Sequence, residues 1–318
     1  MTRLEETLVR VAFVGKGGSG KTTLSALFAR YAARRGPVVA IDADINQHLG
    51  LALGAAEIPR PLGGMLTEIK DYLRGDNPLI RDAASMVKTT PPGRGSRLVR
   101  LGDPFFPSCR VAGVSLMVTG PFGEEDLGVA CYHSKVGAVE LFLNHLVDGP
   151  GEYAVVDMTA GADSFASGLF TRFDLTYLVA EPTRQGVGVY RQYRDHAAGF
   201  DVPIAVVGNK VQSPGDVDFL REHVGDALLT WFEHSPAVRA LEQGRPFALG
   251  DLEPANLRAL GALLDRLDRQ PKDWDRFGRQ AAEFHRRNAL TWANRAAGED
   301  LTAQIDPGFV YGPAVAAP

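Results

Sequence analysis

Cysteine is almost missing from this 318-residue chain, with Cys109 and Cys131 as the whole supply. Two thiols cannot build a disulfide framework, which points to a reducing compartment. No uninterrupted apolar stretch is long enough to cross a bilayer. The opening MTRLEETLVRVAFVGKGG runs straight into an apolar strand and a glycine loop. It lacks a basic start, a long apolar stretch and a small-residue cleavage site, so a cytoplasmic location is expected. Neither sign of charge dominates, since 34 Lys and Arg against 38 Asp and Glu leave a formal charge of -4. No global basic field draws the chain to nucleic acid, which is not an expected partner. Internal repeats and low-complexity segments are absent as well.

What is present is ordinary globular material, 45% hydrophobic and 23% charged. Short β-branched runs at 10–15, 37–42, 114–120, 153–158, 174–182, 202–209 and 227–232 alternate with helical patterns. The helices are expected near 22–35, 135–147, 162–170, 186–198, 215–223, 236–243 and 254–268. Nearly continuous apolar strands imply cover on both faces. The fold class is therefore α/β, a doubly wound, mostly parallel sheet flanked by helices. Residues 54–110, rich in Pro, Gly and Arg, interrupt the rhythm and predict an irregular insertion. The expected organisation is one domain over 1–268, then a C-terminal helix at 271–296 and a loose tail to 318. That helix carries Trp274, Phe277, Ala281, Phe284 and Trp292 at roughly helical spacing, with arginines between them. Packing on its own domain or on a partner is favoured over membrane docking, because Asp273, Asp275 and Glu283 spoil a clean basic face.

The stretch GKGGSGKT, Gly15 to Thr22, satisfies G-x-x-x-x-G-K-[ST] between an apolar strand and a helix. Gly15, Gly17, Gly18 and Gly20 let backbone N–H groups converge on phosphate oxygens, with Ser19 and Thr23 in the same cradle. The helix N-terminus adds its positive dipole end. Lys21 can reach the β- and γ-phosphates, and the Thr22 hydroxyl can bind Mg²⁺.

A lysine directly after the first glycine, Lys16, resembles the deviant phosphate loop of the MinD/ParA superfamily. The resemblance runs from about Val11 to Leu267 and is carried by further segments in order. IDADIN, Ile41 to Asn46, resembles switch I, and VVDMTAG, Val155 to Gly161, resembles a Walker B strand entering switch II. GNKV, Gly208 to Val211, lies where that family reads the base. The resemblance implies a Mg²⁺-dependent ATPase that sandwiches two ATP molecules in a homodimer, with Lys16 reaching the partner's nucleotide. It implies Asp44 at the attacking water, Asp157 at Mg²⁺ with Asp42 in support of Lys21 or Mg²⁺, and the Gly161 N–H at the γ-phosphate. Asn209 can bond an adenine edge. Gln212 stands where a guanine-reading Asp would be, so ATP is favoured over GTP.

Within the superfamily the sequence is most similar to CooC-like ATPases that mature carbon monoxide dehydrogenase by metal insertion. GVACYHSKVGAVELFLNHL, Gly128 to Leu146, sits where they carry a Cys-x-Cys before a helix. Here His133 replaces the second cysteine. Cys131 and His133 supply two ligands, and two-fold symmetry would complete a Cys₂His₂ site for Zn²⁺ or Ni²⁺ across the dimer. A small buried cysteine beside a loop histidine is the plain alternative. A positioning ATPase of the ParA or MinD kind, binding a partner protein, DNA or membrane, is the competing branch. An iron–sulfur electron-transfer ATPase is set aside, because no cysteine follows Asp157. The client protein is not legible.

Overall fold

Strand β1 (Val9–Gly15) reads VRVAFVG and is buried at every position. It can be apolar on alternate residues of both faces because both faces are covered. Val9, Val11 and Phe13 pack with Leu24, Leu27 and Phe28 of α1 (Lys21–Ala32) and Leu260, Leu263 and Leu264 of α8 (Pro254–Asp268). Ala12 and Val14 face the other way, toward Val139 and Phe142 of α4 (Tyr132–His145) and Tyr190 and Tyr193 of α5 (Arg184–Ala197). The computed structural model describes residues 9–123, 132–147, 149–245 and 247–312, apart from the side chains of 132–134 and 162.

Around β1 lie β2 (Val38–Ala43), β3 (Cys109–Val111), β4 (Val114–Val118), β5 (Tyr153–Met158), β6 (Leu175–Ala180), β7 (Ile204–Val211) and β8 (Leu228–Glu233). Among the described residues they form one sheet in the order β3-β4-β2-β5-β1-β6-β7-β8. Every pairing is parallel except β3 with β4, a short antiparallel edge. The expected doubly wound sheet is thus present. Its carboxyl ends gather the phosphate loop, the turn after β2, the end of β5, Glu181 after β6 and Asn209 in β7, the side on which open α/β sheets bind ligands.

Three local expectations change. Residues 162–170 form two 3-10 turns, Gly161–Phe165 and Gly168–Thr171, in place of a helix. The Ser164 hydroxyl donates to Gly161 O at 3.0 Å and Thr171 to Gly168 O at 2.7 Å, local bonds that compete with an α-helical ladder. The insertion is less irregular than its composition implies, because α3 (Leu66–Arg74) buries Ile69 and Leu73 against the sheet's α4 side. The segment expected to be loose after residue 305 packs at least as far as Gly312, with Tyr311 buried against Val147 and Phe277.

The C-terminal helix α9 (Trp274–Asn288) runs on through a π-helical turn, Ala289–Ala293. It docks at the amino ends of the strands, opposite the phosphate loop. Phe277 and Ala281 are buried, and Phe284 packs on Phe170 and Phe200. Most of its aromatic stripe is therefore spent within the chain, while Trp292 stays exposed. Polar clamps accompany the apolar contact. Arg172 donates to Phe277 O at 2.9 Å and Arg276 to Phe173 O at 2.8 Å. Asp174, wholly buried, accepts from Arg10 N and from the Lys272 ammonium, each at 2.8 Å. Breaking such a buried pair from one side costs about 3–5 kcal/mol. Asp174→Ala is expected to lower the unfolding free energy by that order, read as a lower urea midpoint with the m-value unchanged. A loss under about 1 kcal/mol would mean that the clamp adds little.

Candidate nucleotide site

The loop between β1 and α1 is held by its own turn and by the end of β7. Ser19 N donates to Lys16 O at 3.0 Å. Gly20 caps α1 with φ 92, and a Cβ there would collide with the Asn209 side-chain amide. That amide donates to Ser19 O at 2.7 Å, and Lys210 Nζ donates to Gly18 O at 2.6 Å. Glu181 Oε1 also accepts from Lys210 at 2.7 Å, while its Oε2 lies 3.6 Å from Lys16 Nζ. One carboxylate thus pairs closely with the β7 lysine and loosely with the loop lysine.

Beside this loop a cleft of about 290 Å³ opens between α1, β7 and α7 (Pro236–Glu242), lined by Gly20, Thr23, Asn209, Phe232, Ser235 and Arg239. Its position, flanked by the N-terminus of α1 and by apolar and amide side chains, suits a base next to a phosphate cradle.

The acidic side of the site comes from β2 and β5. Lys21 Nζ lies 3.3 Å from Asp44 Oδ2, and both side chains are about nine-tenths buried. The other Asp44 oxygen accepts from Asn46 N at 3.0 Å and Asn46 Nδ2 at 2.8 Å. Asp42 spends both oxygens on backbone, accepting from Asp44 N at 3.1 Å and Leu49 N at 2.8 Å. Asp42 therefore shapes the turn that presents Asp44.

Asp42 and Asp157 face each other at one register position of neighbouring strands, both fully buried. Burial first, then the Asp157 charge, pushes the Asp42 carboxyl up to about 7. Burial likewise pushes Asp157 up to about 7, against the pull of Lys21 and a hydrogen bond from Thr22. Ser25 Oγ reaches Asp157 Oδ1 at 3.4 Å, and Oδ2 is a buried acceptor with no hydrogen-bond partner. A buried, partnerless carboxylate oxygen beside the Thr22 hydroxyl and the phosphate loop fits a hard divalent cation. Mg²⁺ takes oxygen ligands and leans on substrate phosphates rather than an all-protein cage. Gly161 adopts φ 63 just beyond β5, at the start of the first 3-10 turn.

The structure thus brings together Lys16, Lys21, Thr22, Asp42, Asp44, Asp157 and Asn209, all chosen from sequence. Cys131 lies outside the described residues, as does the side chain of His133, whose backbone opens α4. Sequence reasoning passed over Glu181, Lys210, Ser25 and Gln47. A carboxylate directly after an apolar strand, as in LVAEP, was an available signal for Glu181, since ligands gather at strand carboxyl ends.

Residues 11–296 match the CobQ/CobB/MinD/ParA nucleotide binding domain, CbiA. The chain is 28% identical over 270 residues to the carbon monoxide dehydrogenase accessory protein CooC of Rhodospirillum rubrum, spanning 81% of this chain and 97% of that protein. It is 26% identical over 247 residues to an uncharacterized ATP-binding protein of Methanocaldococcus jannaschii, 76% of this chain and 91% of that one. Among solved structures it is similar to the septum site-determining protein MinD of Pyrococcus horikoshii complexed with Mg-ADP. There the TM-score is 0.55 at 16% identity, over 82% of this chain and 96% of that one.

Proposed function

Because the chain belongs to the CobQ/CobB/MinD/ParA nucleotide-binding family and is a P-loop ATPase, we propose that it is a homodimer switched by ATP, acting as a CooC-like maturation factor that hands a metal to a client protein. The observation that carries the metallochaperone part is the 28% identity to CooC across almost all of that protein, joined to the Cys-x-His of the sequence, Cys131 to His133. The MinD likeness speaks for the fold alone. A positioning ATPase that grips membrane or DNA with α9 has less support, because Trp274, Phe277 and Phe284 of that helix pack against aromatic rings of their own chain.

The geometry supports these roles. Gly15, Gly17, Gly18, Ser19 and Gly20 cradle the phosphates, and Lys21 leaves Asp44 for their oxygens when ATP arrives. The Asn209 nitrogen is committed to Ser19, so its oxygen serves as acceptor for an adenine amino group. Asp44, released from Lys21, orients the attacking water. Thr22 and Asp157 would hold Mg²⁺, with Asp42 in support, and the ion would neutralise charge developing on the phosphoryl oxygens. The Gly161 N–H reports the γ-phosphate, and Lys16 crosses to the partner's nucleotide, offsetting phosphate repulsion.

Cys131 and His133 from two subunits would take one transition-metal ion as cargo, Zn²⁺ or Ni²⁺ by ligand type. Binding needs the Cys131 thiolate, so it weakens at low pH. Metal analysis of purified protein, with and without a non-hydrolysable ATP analogue, tests this reading. One metal per dimer, tighter with nucleotide and lost in both Cys131→Ala and His133→Ala, is expected. One per monomer, or binding indifferent to both substitutions, rejects the shared site.

A further inference from the structure

Gln47 is a non-glycine residue in the left-handed region, at φ 52, three positions after Asp44. A side chain is disfavoured there, and strain of this kind persists only where the surroundings hold it. Two side-chain bonds to different elements do so. Its Nε2 donates to the Asp44 carbonyl, and its Oε1 accepts from Gly120 N at 3.1 Å. Gln47 N also donates to Asp44 O at 3.3 Å.

Gly120 lies two residues beyond β4, where the chain leaves the sheet. That exit is fixed from every side. Thr119 N donates to Asp42 O at 2.9 Å, and Gly63 N donates to Thr119 O at 2.9 Å. A Cβ on Gly120 would meet Pro61 at 2.5 Å. The next residue, Pro121, accepts from Lys135 Nζ of α4 at 2.9 Å. Gln47 therefore ties the turn after β2, otherwise held by Asp42 and by its own local bonds, to the rigid exit of β4. Asn46, its neighbour, is exposed, and Asp44 hangs between Asn46, Lys21 and this tie.

We propose that Gln47 is a positioning residue for hydrolysis: by bracing switch I against the exit of β4, its amide fixes where Asp44 stands once Lys21 has turned to the phosphates. This rests on the reading of Asp44 given above. The chemistry suits an amide, which offers at one planar group a donor to the Asp44 carbonyl and an acceptor to the Gly120 N–H. Glutamate keeps the acceptor and sets a carboxylate against the Asp44 carbonyl. Glycine fits φ 52 without strain and removes both bonds.

The test uses the full chain and steady-state ATP hydrolysis of Gln47→Gly and Gln47→Glu beside Asp44→Asn. Thermal melts and amide hydrogen exchange of the peptide holding Gly120 accompany the kinetics. Gln47→Gly is expected to melt no lower than the parent and to keep its KM for ATP. Its kcat falls about 10-fold or more, inside the roughly 100-fold that an ångström of misplacement can cost. Exchange at Gly120 speeds up in Gln47→Gly and stays slow in Gln47→Glu, while both lose turnover. Parent kcat in Gln47→Gly or in Gln47→Glu beside a slow Asp44→Asn overturns the proposal alone and leaves Gln47 as a turn residue. Parent kcat in Asp44→Asn overturns the reading of Asp44, and this proposal with it.

Discussion

Lys21→Ala is expected to abolish measurable ATP binding, whereas Asp44→Asn is expected to bind ATP at least as tightly as the parent and to hydrolyse it about 100- to 1,000-fold more slowly. The opposite outcomes follow from one ion pair. Lys21 Nζ and Asp44 Oδ2 lie 3.3 Å apart in a largely buried site. Removing Lys21 takes away the cation proposed for the β- and γ-phosphates and leaves the buried carboxylates Asp42, Asp44 and Asp157 to face an anionic ligand. Removing the Asp44 charge frees Lys21 for the phosphates and lowers the negative potential, so binding holds or tightens. What disappears, on the proposed role of Asp44, is the carboxylate that would place the water, and losing one preorganised group of this kind costs about 100- to 1,000-fold in kcat. Calorimetric ATP titration and turnover, measured separately, check both halves. Undiminished turnover in Asp44→Asn removes it from the mechanism, and retained binding in Lys21→Ala removes Lys21 from the cradle.

Asp157→Asn is expected to raise the melting temperature of the nucleotide-free protein at pH 8 while destroying Mg²⁺-dependent hydrolysis. Burial lifts Asp157 and Asp42 to about 7 from an ordinary value near 3.8. Between those values the folded protein binds more protons than the unfolded chain, so stability falls as pH rises. The penalty is absent below about pH 4, grows through the window and is complete above about 7. At roughly 1.4 kcal/mol per unit it is on the order of a few kcal/mol. An amide at 157 removes one buried charge and relieves Asp42, so the parent and variant should melt alike at pH 4 and diverge by pH 8. Saturating Mg²⁺ and ATP should stabilise the parent more than the variant, which keeps the phosphate loop and Lys21 and lacks the carboxylate that would hold Mg²⁺. A variant that melts lower than the parent at pH 8 would show that the unpaired Asp157 oxygen costs nothing.

The parts that sequence predicted well are those where residue identity and backbone geometry are inseparable. Gly20 must be glycine at φ 92 against Asn209, so the phosphate loop announces itself in the sequence. Nearly continuous apolar runs made the strands and their two covered faces equally plain. What depends on register or long-range contact did not announce itself. That Asp42 meets Asp157 follows from β2–β5 pairing 115 residues apart, and no local pattern encodes it. Glu181 and Gln47 act through partners on other elements. The 3-10 turns after Gly161 carry apolar spacing close enough to a helix to mislead, and their hydroxyl-to-carbonyl bonds decide otherwise. Composition hid α3 among prolines and glycines, although its own nine residues are strongly two-sided, with Ile69 and Leu73 buried. The C-terminal helix was legible as a helix, and its use as a clamp on the strand starts was not.

The central claim is that ATP closes two copies of this chain on each other through Lys16. Lys16 lies 3.6 Å from Glu181 in its own chain, a contact too long and too exposed to hold it against a partner's phosphates. Light scattering of the parent and Lys16→Ala, with and without a non-hydrolysable ATP analogue, measures the claim directly. The account predicts that the analogue moves the parent from 34.3 kDa to twice that mass, and that Lys16→Ala binds the analogue yet stays at 34.3 kDa. A parent whose mass ignores the analogue, or a Lys16→Ala protein that doubles as the parent does, would contradict it.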